Sequence, residues 1–223
     1  MSNLNQLLLK FDLKQNYKDE DFYVSKSNFY AFNLINRWPK WEKNFLNIYG
    51  EKFSGKTHLT NIFLKKFKGF MIQAKNFKDA DLKELKIHEN IILDNFEQNV
   101  NERLIYSLIN IIDQDNKFLI INSLIPINEM NFKLEDLKSR TKNCLVANIG
   151  KPDDELMFAL ILKNLSDRQI TIDKKLIDFI IKRIDRSYGN IFEFIYKIDE
   201  ISLKKKKSID FKIIKEALKE KIE

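Results

Sequence analysis

Cysteine, proline and glycine are all scarce in this chain of 223 residues, which contains 1 Cys, 3 Pro and 5 Gly. The single Cys144 excludes an internal disulfide and any cysteine-rich metal site. No apolar run reaches the roughly 18 residues that a membrane-spanning helix needs. The apolar run 7–9 is also too short for the core of a secretory signal. We therefore expect a cytoplasmic globular protein that spans no membrane.

The chain carries a formal net charge of +7 at pH 7, which raises the question of nucleic-acid binding. Most of its basic residues are lysines, and they are spread along the chain among Asp and Glu. Contact with DNA is therefore expected to be weak or indirect. The densest basic run, Lys204–Lys207, lies between predicted helices and is either a solvated loop or a patch that touches phosphate.

The stretch from residue 50 to residue 57 has the pattern of a phosphate-binding loop. It reads GEKFSGKT and fits G-x-x-x-x-G-K-[ST] without a mismatch. In such a loop, backbone N–H groups and the start of the following helix face a phosphate. Lys56 would reach the outer phosphates, and the Thr57 hydroxyl would bind Mg²⁺. The stretch predicts an ATP or ADP site, with a chance glycine turn before a helix as the alternative. The predicted nucleotide contacts in the loop are Gly50, Glu51, Lys52, Phe53, Ser54, Gly55, Lys56 and Thr57.

Apolar strands alternate with helical patterns up to Gly150, which is typical of a parallel sheet with helices on both faces. Beyond Gly150 only helical patterns follow. The chain is therefore predicted to be an α/β protein with three parts: a tail (1–20), a nucleotide-binding domain (21–150) and a small all-α domain (151–223). The predicted strands are 45–49, 69–73, 90–94 and 117–122. The predicted helices are 28–38, 58–67, 79–85, 102–114, 154–165, 173–184, 189–203 and 210–221.

Two polar residues end predicted strands of this sheet. Asp94 follows an apolar run and is predicted to hold Mg²⁺ opposite Thr57. Its neighbour Asn95 cannot accept a proton from an attacking water, so slow or absent ATP hydrolysis is expected. Asn122, at the end of the next strand, is a candidate phosphate sensor; equally, it could cap a strand-to-loop turn.

A further set of short motifs runs through most of the chain. They are Asp21-Phe22-Tyr23-Val24 with Asn28, Arg37-Trp38-Pro39-Lys40-Trp41, Gly55-Lys56-Thr57-His58-Leu59, Leu93-Asp94-Asn95, Leu134 to Arg140, and Asp185-Arg186-Ser187-Tyr188. In these motifs the chain resembles the DnaA-related AAA+ family, and within it the Hda group of initiator regulators. The stretches around Trp38 and before Arg140 are the most specific of them.

The resemblance implies an AAA+ fold in which the helical domain is a lid and adenine lies near Val24 and Asn28. It also implies that Arg140 is an arginine finger, acting in trans on the nucleotide of a DnaA initiator; considered alone, such a residue is more often on a solvated surface or in an ion pair. AAA+ lids usually carry an arginine near the position of Gly189, and its absence here again implies weak hydrolysis. Initiators continue beyond the lid into a DNA-binding domain, so the length of this chain favours a regulator. A homodimer is compatible with the family.

The first residues resemble the short peptide that binds the bacterial sliding clamp. The residues that match are Gln6, Leu7, Leu9 and Phe11. An extended tail can place its apolar side chains in a pocket while a polar side chain forms directional hydrogen bonds. The alternative is an ordinary first strand or a hydrophobic latch.

Three functions are consistent with these patterns. The first is a nucleotide-binding regulator of replication initiation, with the sliding clamp and the DnaA initiator as partners. The second is a helicase-loader-like or DNA-remodelling AAA+ ATPase that acts directly on DNA, which requires a channel of aromatic and basic side chains. The third is an initiator-like fragment with a purely structural nucleotide.

Overall fold

A computed structural model describes residues 21–219 of the chain. Five strands form one parallel sheet. The strands are β1 (Phe45–Gly50), β2 (Phe70–Gln73), β3 (Asn90–Phe96), β4 (Phe118–Ser123) and β5 (Leu145–Ile149). Their order across the sheet is β2-β3-β4-β1-β5, so β1 lies between β4 and β5.

Helices cover the sheet and continue after it. Those within the sheet region are α1 (Phe29–Asn36), α2 (Lys56–Phe67), α3 (Asp81–Leu85), α4 (Glu102–Gln114) and α5 (Glu135–Lys142). Those after β5 are α6 (Asp154–Asp167), α7 (Lys174–Ile181), α8 (Tyr188–Lys205) and α9 (Phe211–Lys219). Two 3-10 turns, Ala74–Asn76 and Ile127–Glu129, lie at the ends of β2 and β4.

The sheet is buried on both faces, as its nearly continuous apolar strands require. Side chains that alternate along a strand point to opposite faces. Accordingly, Leu93 belongs to the apolar cluster on the α4 side, whereas Ile92 belongs to the cluster that contains α1 and α2. Both side chains are fully buried. The sheet is thus a rigid layer whose carboxyl edge holds the loops described below.

The four helices after β5 have an apolar cluster of their own, built from residues between Met157 and Ala217. Two side chains of this region, Leu156 and Tyr188, pack instead into the cluster on the α1 and α2 face of the sheet. The first turns of α6 and α8 therefore attach the C-terminal helices to the sheet.

The predicted architecture, a parallel sheet flanked by helices and followed by a helical segment, is confirmed. Helix α2 begins at Lys56, earlier than the sequence predicts, because Gly55 at φ 94° supplies its N-cap. The prediction that Lys204–Lys207 is a loop was wrong for its first half. Lys204 and Lys205 are the last two residues of α8, and its C-cap, Lys206, adopts the left-handed conformation (φ 51°). Within residues 21–219, none of the helices combines the length and the apolar character needed to cross a membrane.

Candidate nucleotide-binding site

The loop between β1 and α2 has the close packing that its glycines predict. A Cβ atom on Gly50 would lie 2.6 Å from the Ile149 carbonyl oxygen on the neighbouring strand β5. Gly55 adopts φ 94°, which side chains other than glycine rarely tolerate. The Ser54 amide donates to the Glu51 carbonyl oxygen at 3.2 Å and closes the turn. The chain therefore turns tightly at the sheet edge, and the start of α2 adjoins the loop.

Lys56 is the buried cation of this loop, with 7% of its surface exposed. Its Nζ donates to the carbonyl oxygens of Gly50 at 2.7 Å and of Glu51 at 2.8 Å, and to Ser54 Oγ at 3.4 Å. Burial lowers the pKa of Lys56 to about 8, although the carboxylates of Asp94 and Glu51 act in the opposite direction. The ammonium group remains mostly protonated at neutral pH and is held where a phosphate chain would contact the loop.

Thr57 and Asp94 meet beside Lys56, as predicted for a Mg²⁺ site. The Thr57 hydroxyl lies 3.1 and 3.0 Å from the two carboxylate oxygens of Asp94, to which it donates. Asp94 is fully buried at the end of β3. Hydroxyl and carboxylate oxygens are ligands that Mg²⁺ prefers, with phosphate oxygens and water completing its shell. The donor set therefore fits this ion, and the described residues contain no cluster of three or more His, Cys, Asp or Glu side chains that would suggest another metal.

Two amide side chains orient the Asp94 carboxylate. Gln73 Nε2 at the end of β2 donates to Asp94 Oδ2 at 3.0 Å, and Asn122 Nδ2 donates to Asp94 Oδ1 at 2.8 Å. Asn122 also donates to Thr60 Oγ1 at 3.1 Å and is itself fully buried. In this arrangement the amide of Asn122 positions Asp94. Gln73 was missed by sequence reasoning, because nothing in β2 alone shows that its last residue adjoins the acid of β3.

Asn95 stands beside the acid in an unusual conformation. Its φ is 53°, and the pairing of β3 with β4 shifts register between Leu93 and Phe96. Its Nδ2 donates to Gln73 Oε1 at 2.8 Å. The exposed amide is thus held at the edge of the site, but it has no group that could act as a proton acceptor at neutral pH.

The predicted adenine region lies next to this loop. Asn28 is buried, and its side chain brackets its own segment by accepting from the Ser25 amide and donating to the Tyr23 carbonyl oxygen, both at 2.9 Å. Val24 between them is half-buried. The ring of Phe22 would contact a Cβ atom on Gly55 at 3.3 Å, which places the segment against the loop. Asn28 therefore shapes this region, and Val24 offers it an apolar surface.

Helix α8 approaches the loop from the other side. Phe192 of α8 packs edge-on against Phe53 of the loop, with ring centroids 5.5 Å apart. Arg186, which precedes α8, forms an exposed ion pair with Asp154 at 2.7 Å. Residues of the loop and of α8 also line a cavity of about 830 Å³, among them Phe53, Phe192 and Tyr196.

Arg140 lies far from this loop. It belongs to the last turn of α5 and forms an exposed ion pair with Asp113 of α4. Asp113 also accepts a hydrogen bond from Asn44, the residue before β1, whereas Gly50 ends that strand. The length of β1 therefore separates Arg140 from its own phosphate loop by roughly 20 Å. The guanidinium therefore does not contact its own phosphate loop in this structure.

The predicted clamp-binding residues Gln6, Leu7, Leu9 and Phe11 lie outside the described residues.

A parallel sheet in this strand order, with the loop of residues 50–57 after β1, an acid near the end of β3 and helices after the sheet, is the AAA+ P-loop fold. Solved structures support this fold. Domain III of the Thermotoga maritima replication initiation protein DnaA superposes with a TM-score of 0.70 at 20% identity, over 92% of this chain and 96% of that one. A Thermotoga maritima RuvB Holliday junction branch migration motor superposes with a TM-score of 0.61 at 16% identity, over 79% of this chain and 61% of that one.

Sequence comparison finds similarity to DnaA proteins. The chromosomal replication initiator protein DnaA of Borreliella afzelii (strain PKo) is 25% identical over 93% of this chain and 48% of its own length. DnaA of Borrelia turicatae (strain 91E135) is 26% identical over 92% of this chain and 49% of its own length. The chain thus spans about half the length of these relatives. No family model matches the chain. The relationship to DnaA agrees with the resemblance seen in the motifs, whereas the narrower likeness to the Hda group stays a prediction.

Proposed function

We propose that this protein is a nucleotide-binding regulator of chromosomal replication initiation that carries one ATP or ADP with Mg²⁺. The observation that carries the proposal is the convergence of Lys56, Thr57 and Asp94 at one edge of the sheet, with Thr57 Oγ1 3.0 Å from Asp94 Oδ2. Two of the structural relatives are DnaA proteins bound to AMPPCP, a nucleotide analogue. When bound, Mg²⁺ would neutralise phosphate charge. The Lys56 ammonium and the loop amides would hold the phosphates, and Val24 would contact the base.

The site is proposed to bind a nucleotide and to hydrolyse ATP slowly or not at all. Catalysis requires a group that orients the attacking water and takes its proton. Asn95 occupies the position beside Asp94, and its Nδ2 is engaged by Gln73 Oε1. The carboxylate next to Asn95 is that of Asp94, and it already accepts hydrogen bonds from Thr57, Gln73 and Asn122. The bound nucleotide would then act as a structural signal.

The regulatory step is assigned to Arg140 acting in trans. The guanidinium is about half exposed, lies at the opposite edge of the sheet from its own loop and is restrained by Asp113. An arginine that enters a neighbour's nucleotide site can stabilise the charge that develops during phosphoryl transfer, worth roughly 10³–10⁵ in rate. The partner in this proposal is an ATP-bound DnaA initiator. Hydrolysis of the ATP bound to that initiator would prevent a further round of initiation.

Recruitment is assigned to the tail. Gln6, Leu7, Leu9 and Phe11 would bind the sliding clamp, and clamp loaded on DNA would raise the local concentration of the protein near the initiator. The division into tail (1–20), nucleotide-binding domain (21–150) and lid (151–223), together with a cytoplasmic location, belongs to the same proposal.

The test is the rate of hydrolysis of initiator-bound ATP in the presence of clamp loaded on DNA. The proposal expects faster hydrolysis with the wild-type protein, and loss of that stimulation in both Arg140→Ala and a Leu9→Ala, Phe11→Ala double variant. A clamp-binding assay distinguishes the two variants, because Arg140→Ala should still bind the clamp and the tail variant should not. An unchanged rate with folded, nucleotide-bound wild-type protein would refute the regulatory function.

One observation favours the alternative of a helicase-loader-like or DNA-remodelling AAA+ protein. This function requires a channel of aromatic and basic side chains, and the cavity beside α8 contains both kinds. It is lined by three aromatic rings together with five basic and three acidic residues: Phe53, Phe192, Tyr196, Lys52, Arg168, Lys197, Lys204, Lys205, Glu193, Glu200 and Glu216. Strongly salt-dependent binding of naked single-stranded DNA, lost in Tyr196→Ala, would favour this function over the regulator.

A further inference from the structure

Helix α8 begins without a cap from its own sequence. Its N-cap residue, Ser187, makes no side-chain hydrogen bond to the helix, and the first turn contains no acidic residue. The first N–H groups of a helix need partners, and its N-terminus attracts negative charge. A helix of 18 residues that begins beside the phosphate loop therefore has to find its cap elsewhere.

The cap comes from the phosphate loop itself. The amide of Tyr188, the first residue of α8, donates to Glu51 Oε1 at 2.6 Å, across a sequence separation of 137 residues. Glu51 is half-buried and stands directly after Gly50, where the loop leaves β1. Its carboxylate thus supplies both the acceptor and the negative charge that the start of α8 lacks.

Two further contacts hold the first turn of α8 in place. The Tyr188 hydroxyl donates to the Gly150 carbonyl oxygen at 3.2 Å, and burial raises the pKa of Tyr188 to about 12, so the hydroxyl remains a donor. Phe192, one turn further along α8, packs against Phe53 of the loop, whose φ is 68°. The loop therefore contacts α8 through Glu51 and Phe53.

Glu51 is also tied to the lysine that would bind phosphate. Lys56 Nζ donates to the main-chain oxygen of Glu51 at 2.8 Å, and to that of Gly50 at 2.7 Å. A phosphate at the loop would compete for the same ammonium group, because Nζ has only three protons to donate. If Lys56 Nζ changed its hydrogen bonds, the main chain of Glu51 would lose a partner, and the Glu51 side chain caps α8.

We propose that Glu51 is a positioning residue that couples phosphate binding at the loop to the position of helix α8. This inference rests on the nucleotide binding proposed above. The Glu51 carboxylate holds the start of α8 against the loop. The Glu51 carbonyl oxygen accepts a hydrogen bond from Lys56 Nζ, so a phosphate that changes this bond would also change the position of the helix. The terminal phosphates are sensed through the loop, since the cation nearest the start of α8 in sequence, Arg186, is paired with Asp154.

Hydrogen exchange of the α8 amides, with and without ADP and Mg²⁺, tests the coupling. In the wild-type protein, ligand should change the exchange rates of the first-turn amides of α8. Glu51→Ala should raise their rates in the free protein by roughly 2- to 30-fold, the range expected for loss of an N-cap, and should abolish the response to ADP. Glu51→Gln keeps an acceptor oxygen and should restore part of both. Glu155→Ala removes an exposed carboxylate from the first turn of α6 and is the matched control.

The outcomes are distinct. If ADP changes the α8 amides equally in the wild type and in Glu51→Ala, the coupling is refuted while nucleotide binding stands. If the wild-type protein does not bind ADP at all, the proposed function fails, and the coupling fails with it. If Glu51→Ala is unfolded, Glu51→Gln is compared with the wild type instead. A response of the α8 amides to ADP that is fully retained in Glu51→Gln, which lacks the charge, also overturns the proposal.

Discussion

The affinity of the site for ADP should fall about tenfold when the pH rises from 7 to 9, because Lys56 then loses its proton. Burial lowers the pKa of Lys56 to about 8 in the free protein. The protonated fraction is therefore about nine-tenths at pH 7 and about one-tenth at pH 9. Only the ammonium form offers its charge to a phosphate, so the apparent association constant follows that fraction. The result can be measured by isothermal titration calorimetry with ADP and Mg²⁺ at four or five pH values.

Two other buried groups do not change charge in this interval. Burial raises the pKa of Cys144 to about 11 and that of Tyr188 to about 12, so both stay neutral up to pH 9. The phosphate groups of the ligand are already ionised above pH 7, since a phosphate monoester loses its second proton near pH 6. A Lys56→Arg variant carries a charge that does not titrate and should show a flat pH profile. An equally steep decrease in that variant would refute the assignment.

The same titration has the opposite sign for the stability of the free protein. The folded-state pKa of Lys56 lies below its ordinary value of 10.5, so between these two values the unfolded chain binds more protons. This contribution to the free energy of unfolding therefore rises as the pH increases from about 8 toward 10.5. Denaturant unfolding of the free protein at pH 8 and pH 10, compared with Lys56→Met, measures it. A contribution that falls over this range would contradict the buried, charged lysine seen here.

Three further substitutions test Asp94 and Gly50 in the site and Arg140 outside it. Asp94→Asn should remove the Mg²⁺ dependence of nucleotide affinity, because it replaces the charged carboxylate by an amide; calorimetry with and without Mg²⁺ would show it. Gly50→Ala should lower the free energy of unfolding by about 1–3 kcal/mol, since its Cβ would lie 2.6 Å from the Ile149 carbonyl oxygen; an unchanged denaturation midpoint would contradict the packing. Arg140→Ala should leave ADP affinity unchanged and alter stability by less than about 1 kcal/mol, because its pair with Asp113 is exposed; a loss of ADP affinity would show that Arg140 acts on its own site.

Sequence reasoning succeeded where the structural signal is local. The tight loop between β1 and α2 was predictable because the glycines at 50 and 55, the lysine and the threonine all lie between an apolar strand and a helical pattern. The α/β class followed from apolar strands that alternate with helices. The closeness of Asp94 to Thr57 was predictable because the carboxyl ends of parallel strands meet at one edge of the sheet, which brings an acid near the end of β3 to Thr57.

Contacts between distant segments could not be predicted. Gln73 reaches Asp94 only because β2 pairs with β3 in the register that places these two residues opposite each other. Glu51 caps a helix that begins 137 residues later, and a single sequence contains no signal for that approach. The pairing of Arg140 with Asp113 likewise depends on how α5 packs beside α4. Such contacts come from strand order and helix packing rather than from the pattern of any one segment.

The most direct test of the account is equilibrium binding of ADP with Mg²⁺ to the wild-type protein and to Lys56→Ala, measured by isothermal titration calorimetry with circular dichroism to show that both are folded. We expect one nucleotide bound per wild-type chain and a loss of affinity of at least about tenfold in Lys56→Ala, because a buried, charged hydrogen-bond donor is removed. Equal binding by the two proteins would place the nucleotide elsewhere. No binding by the folded wild-type chain would contradict the central claim that the loop from Gly50 to Thr57 holds a nucleotide.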